Sequence, residues 1–244
     1  MQAVIIAAGI GSRLWQTTKQ VPKTLLPYQN GTILSTIIEH LKDAGITELI
    51  MVIGYKKNYI IDYLQKNPPA LPVTFVENLE WEKGNALSVY KVKDYIKDEP
   101  FLLSMSDHLV KVEALKKIAG FPERLNLLLV DPFITENFDL EDATKVQTEN
   151  DYIIAIGKEL TTYNALDCGI FRLEPDFFIA VEKAMAKGKE SISNAISELI
   201  TLRRIKAITL NKANQWIDID TPEAYQFAQH FFPGRTMSSS FHLL

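Results

Sequence analysis

Ala3-Val4-Ile5-Ile6-Ala7-Ala8-Gly9-Ile10-Gly11-Ser12-Arg13-Leu14 is the stretch that decides the fold. The apolar run Ala3 to Ala8, closed by Gly9, suits a strand buried on both faces, as in a parallel sheet. Met1 and Gln2 bring no basic region before it, so the start reads as a first strand and not as a signal peptide. Gly9 and Gly11 let backbone N–H groups face a phosphate chain as an anion-binding nest. Arg13 adds a guanidinium suited to phosphate oxygens. The glycines alone would also serve a tight βα turn. Two competing motifs fail: a dinucleotide fingerprint wants a third Gly where Leu14 stands, and a P-loop ends in Gly-Lys-Ser/Thr.

Outward from this loop the pattern alternates. Helical spacing over Thr32–Ala44, with Gly45 as a stop, leads to an apolar strand over Glu48–Ile53. A helix over Lys57–Gln65, a strand over Pro72–Val76, a helix over Asn85–Lys93 and a strand over Phe101–Met105 follow. Such alternation implies βαβ units and a parallel sheet. After Asp107 the pattern changes to a strand over Leu125–Val130 and a hairpin, Thr144–Gln147 with Tyr152–Ile156, about the turn Glu149-Asn150-Asp151. Then come a strand over Leu166–Leu173, helices over Glu174–Ala186 and Ser191–Leu202, and a strand over Ile205–Leu210. Thr221-Pro222 opens a last helix, with Thr as N-cap and Pro in the first turn. The organisation expected is one α/β domain over 1–231 and a tail over 232–244.

The 244 residues are 47% hydrophobic, enough apolar surface to exclude disorder as the main state. Net charge is −4 with no basic run, which argues against a nucleic-acid partner. A single cysteine, Cys168, excludes a disulfide framework and a cysteine metal knuckle, and fits the cytoplasm. No apolar run reaches the roughly 18 to 20 residues of a membrane helix, so no membrane insertion is expected of this chain. The sequence allows a homodimer without requiring one.

Val21-Pro22-Lys23-Thr24-Leu25-Leu26-Pro27 places a lysine on a stiff segment between two prolines, within reach of phosphates held at the glycine loop. By itself it also reads as a surface lysine. Loop and lysine together resemble the G-x-G-S/T-R-L…P-K-x-L signature of the nucleotidyltransferases that make nucleotide-activated sugars and alcohols. The resemblance implies a Rossmann-like (GT-A-like) α/β fold with a mixed, mostly parallel sheet flanked by helices. It also implies a nucleoside triphosphate donor and pyrophosphate as leaving group.

Ser104-Met105-Ser106-Asp107-His108 ends a strand, where ligands of open α/β sheets bind. A carboxylate beside phosphates is a Mg²⁺ ligand candidate, and the family carries its metal aspartate where Asp107 stands. His108 reads as packing or hydrogen bonding near the site, since four scattered histidines make no zinc site. In Trp216-Ile217-Asp218-Ile219-Asp220-Thr221-Pro222, alternation points both aspartates to one side. The family's W-x-D-x-x-T-P pattern puts a second metal carboxylate at Asp218. Asp220 remains a second candidate, and either one serves equally well as a helix cap.

Lys83-Gly84-Asn85-Ala86 stands where users of UTP or dTTP show Leu-Gly-Thr-Ala. Gly-Asn is the form of cytidylyltransferases for inositol 1-phosphate and phosphocholine. An Asn amide offers a donor and an acceptor to a base edge, although a helix N-cap is the plain alternative. The nucleotide set implied is Ala8, Gly9, Gly11, Ser12, Arg13, Lys23, Gly84, Asn85 and Ser106. Three further segments follow in order: Asp142-Ala143-Thr144-Lys145-Val146, Gly157-Lys158 and Asp167-Cys168-Gly169. This series resembles inositol-1-phosphate cytidylyltransferases, and implies that Lys145 and Lys158 clamp the acceptor phosphate with Asp167 near its hydroxyls. The bland alternative is a hairpin with two solvated lysines.

The reaction expected joins CTP and inositol 1-phosphate into CDP-inositol and pyrophosphate. Arg13, Lys23 and Lys158 act on the phosphates, and Mg²⁺ sits on Asp107 with Asp218 or Asp220. A phosphomonoester is mostly ionised at neutral pH, so no general base is needed. Phosphocholine is the rival acceptor, for which Trp81, Trp216 and Tyr163 are candidate cage residues. A sugar 1-phosphate with another base is third. A non-catalytic nucleotide-binding subunit is disfavoured by the presence of Arg13, Lys23, Asp107 and Asp218 together.

Overall fold

A computed structural model of the protein describes residues 1–10, 21–134, 140–213 and 215–231. Its first part runs β1 (Gln2–Ala7), a 3-10 turn (Lys23–Leu25), β2 (Pro27–Tyr28), β3 (Gly31–Thr32), α1 (Ile33–Asp43), β4 (Glu48–Ile53), α2 (Lys57–Lys66) and β5 (Val73–Glu77). The middle runs α3 (Asn85–Tyr90), β6 (Phe101–Met105), β7 (His108–Val110), α4 (Val112–Ala119), β8 (Asn126–Asp131), β9 (Lys145–Glu149) and β10 (Tyr152–Gly157). The last part is β11 (Ala165–Leu173), α5 (Phe177–Ala186), α6 (Ile192–Thr201), β12 (Ile205–Thr209), β13 (Trp216–Asp218) and α7 (Pro222–Phe231).

Nine strands form one sheet in the order β5-β4-β1-β6-β11-β8-β12-β10-β9. The β5-β4-β1-β6 half is parallel throughout. β11 runs antiparallel to both β6 and β8, β12 lies parallel to β8, and the β9–β10 hairpin closes the far edge. In β1, Ala3, Ile5 and Ala7 join one apolar layer, while Val4, Ile6 and Ala8 join the other. This is the both-faces burial that the unbroken apolar run requires. Helices α1, α2, α4 and α7 pack on the first face, and α3, α5 and α6 on the second.

Local signals hold at several helix ends. The Thr32 hydroxyl accepts from the Ser35 N–H at 3.2 Å, and Gly45 takes a left-handed φ of 95° after α1. The Thr221 hydroxyl accepts from the Ala224 N–H at 3.1 Å and opens α7. Asn150 and Asp151 both take positive φ, the turn chemistry of a tight hairpin. The alternating pattern did not reveal α4, β7 or the small β2–β3 hairpin. β7 pairs antiparallel with β13 in a separate two-stranded sheet.

β4 lies on one side of β1 and β6 on the other. The strand order thus reverses at β1, and the carboxyl ends of strands at such a switch point border the crevice where ligands of open α/β sheets bind.

Candidate active site

A cavity of about 250 Å³ lies in that crevice. Its walls include Asp107 after β6, Asp218 and Asp220 from β13 and its exit, Asp167 and Gly169 of β11, and Lys158 after β10. The β7–β13 ladder sets Asp218 opposite His108. Asp107, His108 and Asp218 each offer a ligand atom, all within 4.8 Å of one another.

His108 is oriented by its far nitrogen. Nδ1 lies 2.9 Å from the Cys168 carbonyl, which can only accept, so Nδ1–H donates. Nε2 then faces Asp218 at 3.4 Å and Asp107 at 3.7 Å. Burial alone would lower the imidazole pKa, but the Asp218 and Asp107 carboxylates outweigh it and raise it to about 9. Burial likewise pushes the Asp107 carboxyl up, and Lys23 with His108 hold it below its ordinary value. The approach is tight: a Cβ on Gly169 would meet His108 Nδ1 at 2.3 Å, and Gly169 has a φ of 70°. This glycine sits in a register break of β11 between Asp167 and Phe171.

The residues fit a divalent cation. Asp218 Oδ1 is buried and has no hydrogen-bond partner among the described residues, an acceptor left open. Two carboxylates and an imidazole whose other nitrogen donates to a carbonyl form a set able to coordinate one. Lys23 is held among these acids, with Nζ 2.5 Å from Asp107 and paired also with Asp220. Its backbone is seated by the Thr24 hydroxyl, which donates to the Ser106 carbonyl at 2.9 Å. Asp218 thus belongs to the three-residue cluster, and Asp220 to the lysine. His108, read from sequence as packing or hydrogen bonding near the site, does hydrogen-bond there, but its membership of the cluster was missed. Its signal is direct adjacency to Asp107.

Asp131, Asp142 and Lys158 also line the cavity. Lys158 pairs with Asp142 at 2.5 Å. Asp167 accepts from the Gly169 N–H at 2.7 Å, and burial pushes its carboxyl up to about 6 against that bond. Lys145, expected beside Lys158, is not brought to the cavity. It is buried, and its ammonium donates to the Glu141 carbonyl at 2.9 Å. Asp142, Ala143 and Thr144 line the cavity before β9 begins, while the Lys145 ammonium is turned to the Glu141 carbonyl.

Gly84 and Asn85 differ from the local reading. Gly84, not Asn85, is the N-cap of α3. The Asn85 carboxamide oxygen accepts from the Ile192 N–H at 2.8 Å, tying α3 to the start of α6, and Asn85 still lines the cavity. A Cβ on Gly84 would meet the Glu190 carbonyl at 2.0 Å, so this glycine permits the helix contact. Ala8 is buried, and its carbonyl accepts from the Tyr55 N–H at 3.0 Å; Gly9 stands open. Gly11, Ser12 and Arg13 lie outside the described residues.

A family model described as "Nucleotidyl transferase" matches residues 2–137. The Aquifex aeolicus "Bifunctional IPC transferase and DIPP synthase" is 33% identical over 94% of the chain and 51% of its own length. The chain spans about half the length of that relative. The Campylobacter jejuni "CTP:phosphoglutamine cytidylyltransferase" is 30% identical over 74% of the chain and 76% of its own. Among solved structures, the inositol-1-phosphate CTP transferase from T. maritima superposes with a TM-score of 0.79 at 25% identity, covering 96% of each chain. With a matched model over more than half its length and this degree of identity to the Aquifex protein, the chain belongs to the nucleotidyl transferase family.

Proposed function

We propose that the protein transfers a cytidylyl group from CTP to inositol 1-phosphate, giving CDP-inositol and pyrophosphate, with Mg²⁺ as cofactor. The observation carrying this reading is the cavity itself. It brings the cluster of Asp107, His108 and Asp218 together with Lys158, Asp142 and Asp167 in one lining. The order of the acceptor segments, and likeness to proteins named as IPC transferase and inositol-1-phosphate CTP transferase, support the acceptor. Residues 1–231 are taken as the catalytic unit and 232–244 as a tail.

An oxygen of the acceptor phosphate attacks the α-phosphorus of CTP. The new P–O bond forms as the bond to the oxygen bridging the β-phosphate breaks, and pyrophosphate leaves with that electron pair. The ionised phosphate needs no base, so this chain's task is positioning and charge neutralisation. Mg²⁺ bound by Asp107 and Asp218, when present, supplies positive charge to the phosphate oxygens. Lys23 brings an ammonium to the donor phosphates. Lys158 leaves Asp142 for the acceptor phosphate. Asp167 accepts from acceptor hydroxyls. Asn85 donates its free-facing amide to the base, and the loop through Gly9, Gly11, Ser12 and Arg13 holds the phosphate chain by the family resemblance.

A second reading is favoured by the wall chemistry. Asp131, Asp142 and Asp167 stand with Trp216, Phe171 and Phe227 around the cavity, a lining suited to a cationic phosphoalcohol such as phosphocholine. The test is pyrophosphate release with Mg²⁺ across CTP, UTP, dTTP, ATP and GTP, each with inositol 1-phosphate, phosphocholine or glucose 1-phosphate. Activity confined to CTP with inositol 1-phosphate is the expected result. CTP with phosphocholine selects the second reading, and no release with any pair sinks both.

A further inference from the structure

Asp131 closes β8 with its side chain in the cavity wall, and only 5% of its surface is exposed. Both oxygens accept from neutral N–H groups. Oδ1 takes the Phe133 backbone N–H at 2.9 Å, and Oδ2 takes the Trp216 indole Nε1–H at 2.6 Å. Among the described residues no lysine or arginine is paired with it. Burying an anion without a countercharge is costly, and an asparagine would fit the same space. An asparagine, however, has one accepting oxygen where two separate donors must be met. The carboxylate is therefore explained by what it holds.

What it holds is the indole of β13. That strand is three residues long and pairs only with β7, which is equally short. It stands outside the nine-stranded sheet, and the Trp216–Asp131 bond is the hydrogen bond tying its side chains to that sheet among the described residues. Trp216 and Asp218 are two residues apart and project to the same side. The Trp216 ring packs on the His108 ring at 5.5 Å, and Asp218 meets His108 Nε2 at 3.4 Å. One bond to the sheet thus sets the indole, the indole flanks the imidazole, and the same strand presents Asp218.

We propose that Asp131 is a positioning residue: by locking the Trp216 indole it fixes β13 so that Asp218 meets Asp107 and His108 at a single cation. It touches neither cation nor substrate. The inference rests on reading those three residues as a divalent cation site, and its test separates the two. Mn²⁺ binding is followed through the loss of the free-ion electron paramagnetic resonance signal, without nucleotide or turnover. The proteins are wild type, Asp131→Asn, Trp216→Phe, the double variant and Asp218→Asn, each checked for fold by circular dichroism and thermal unfolding. Trp216→Phe keeps a six-membered ring in place while removing the donor together with part of the ring, so it serves if Asp131→Asn folds poorly.

The expected result is Mn²⁺ affinity lower by about tenfold in each single variant, at the lower end of losses from outer partners of metal ligands. The double variant is then no weaker than either single one, because both remove the same bond. Wild-type affinity in a folded Asp131→Asn or Trp216→Phe, even with a lowered melting temperature, overturns the proposal and leaves the bond a stabilising contact only. Additive losses overturn it as well. Equal Mn²⁺ binding by wild type and Asp218→Asn removes the cation-site reading itself, and the proposal with it.

Discussion

Replacing Lys23 by methionine keeps the length of the side chain and deletes its charge. The ammonium sits between Asp107 and Asp220, and its side chain is 13% exposed. Removing one partner of a fully buried ion pair costs about 3–5 kcal/mol. The two carboxylates retain 21% and 15% exposure, and water therefore recovers part of that loss. A net cost of about 1–2 kcal/mol follows, or roughly 2–8 °C in melting temperature for a chain of this size. Turnover suffers more under the proposed function. Losing one preorganised positive group from a site of developing charge costs about 10²–10³ in kcat, or about 3–4 kcal/mol. A third readout moves the other way: with the competing ammonium gone, the acidic cluster should bind Mn²⁺ several-fold more tightly in the absence of nucleotide. Pyrophosphate release, thermal unfolding and Mn²⁺ titration on one preparation read all three. A folded Lys23→Met with kcat within about threefold of wild type would refute the reasoning, whatever its stability.

Asp167 holds a proton up to about pH 6, against about 3.9 for an unfolded Asp, so its folded form binds more protons between those values. Stability from this group is fully present below pH 4 and falls as pH rises to 6, by on the order of 2–3 kcal/mol. Asp167→Asn should abolish that part of the slope and leave the protein more stable at pH 7 by urea unfolding; an unchanged slope counts against the assignment. Lys158→Met should raise KM for the phosphorylated acceptor at least tenfold and leave KM for the nucleotide within twofold, measured by initial rates; equal shifts in both would remove its acceptor role. Gly169→Ala should lower the melting temperature and weaken Mn²⁺ binding together, since a methyl there meets His108 at 2.3 Å with φ at 70°; wild-type values for both would mean the bulge tolerates side chains.

How far the sequence reaches depends on whether the deciding contact is local. β1 is legible because burial on both faces leaves an unbroken apolar run, and Thr221 is legible as a cap because its hydroxyl bonds only three residues onward. Asp107 was singled out by its place at the end of a strand together with the family resemblance, and Asp218 by the family's W-x-D-x-x-T-P pattern alone. α4 was not seen because Leu109-Val110-Lys111-Val112 continues a strand-like texture into it, and Lys111 supplies no side-chain cap. Asn85 was read as offering both a donor and an acceptor to a base edge, with a helix cap as the alternative, yet its oxygen is taken by the Ile192 N–H, 107 residues away. The Asp131–Trp216 bond spans 85 residues and leaves no periodic trace. Lys145 was placed by order within a motif, whereas its ammonium is turned to the Glu141 carbonyl.

The β7–β13 ladder also has a consequence for synthesis. Its two strands are three residues each, yet Trp216–Asp218 leaves the ribosome more than a hundred residues after His108–Val110. A nascent chain presents all of β1, β4, β5 and β6 long before Asp218 exists to meet Asp107. The cluster of Asp107, His108 and Asp218 is therefore assembled last, and chains released before Trp216 lack the carboxylate that completes it.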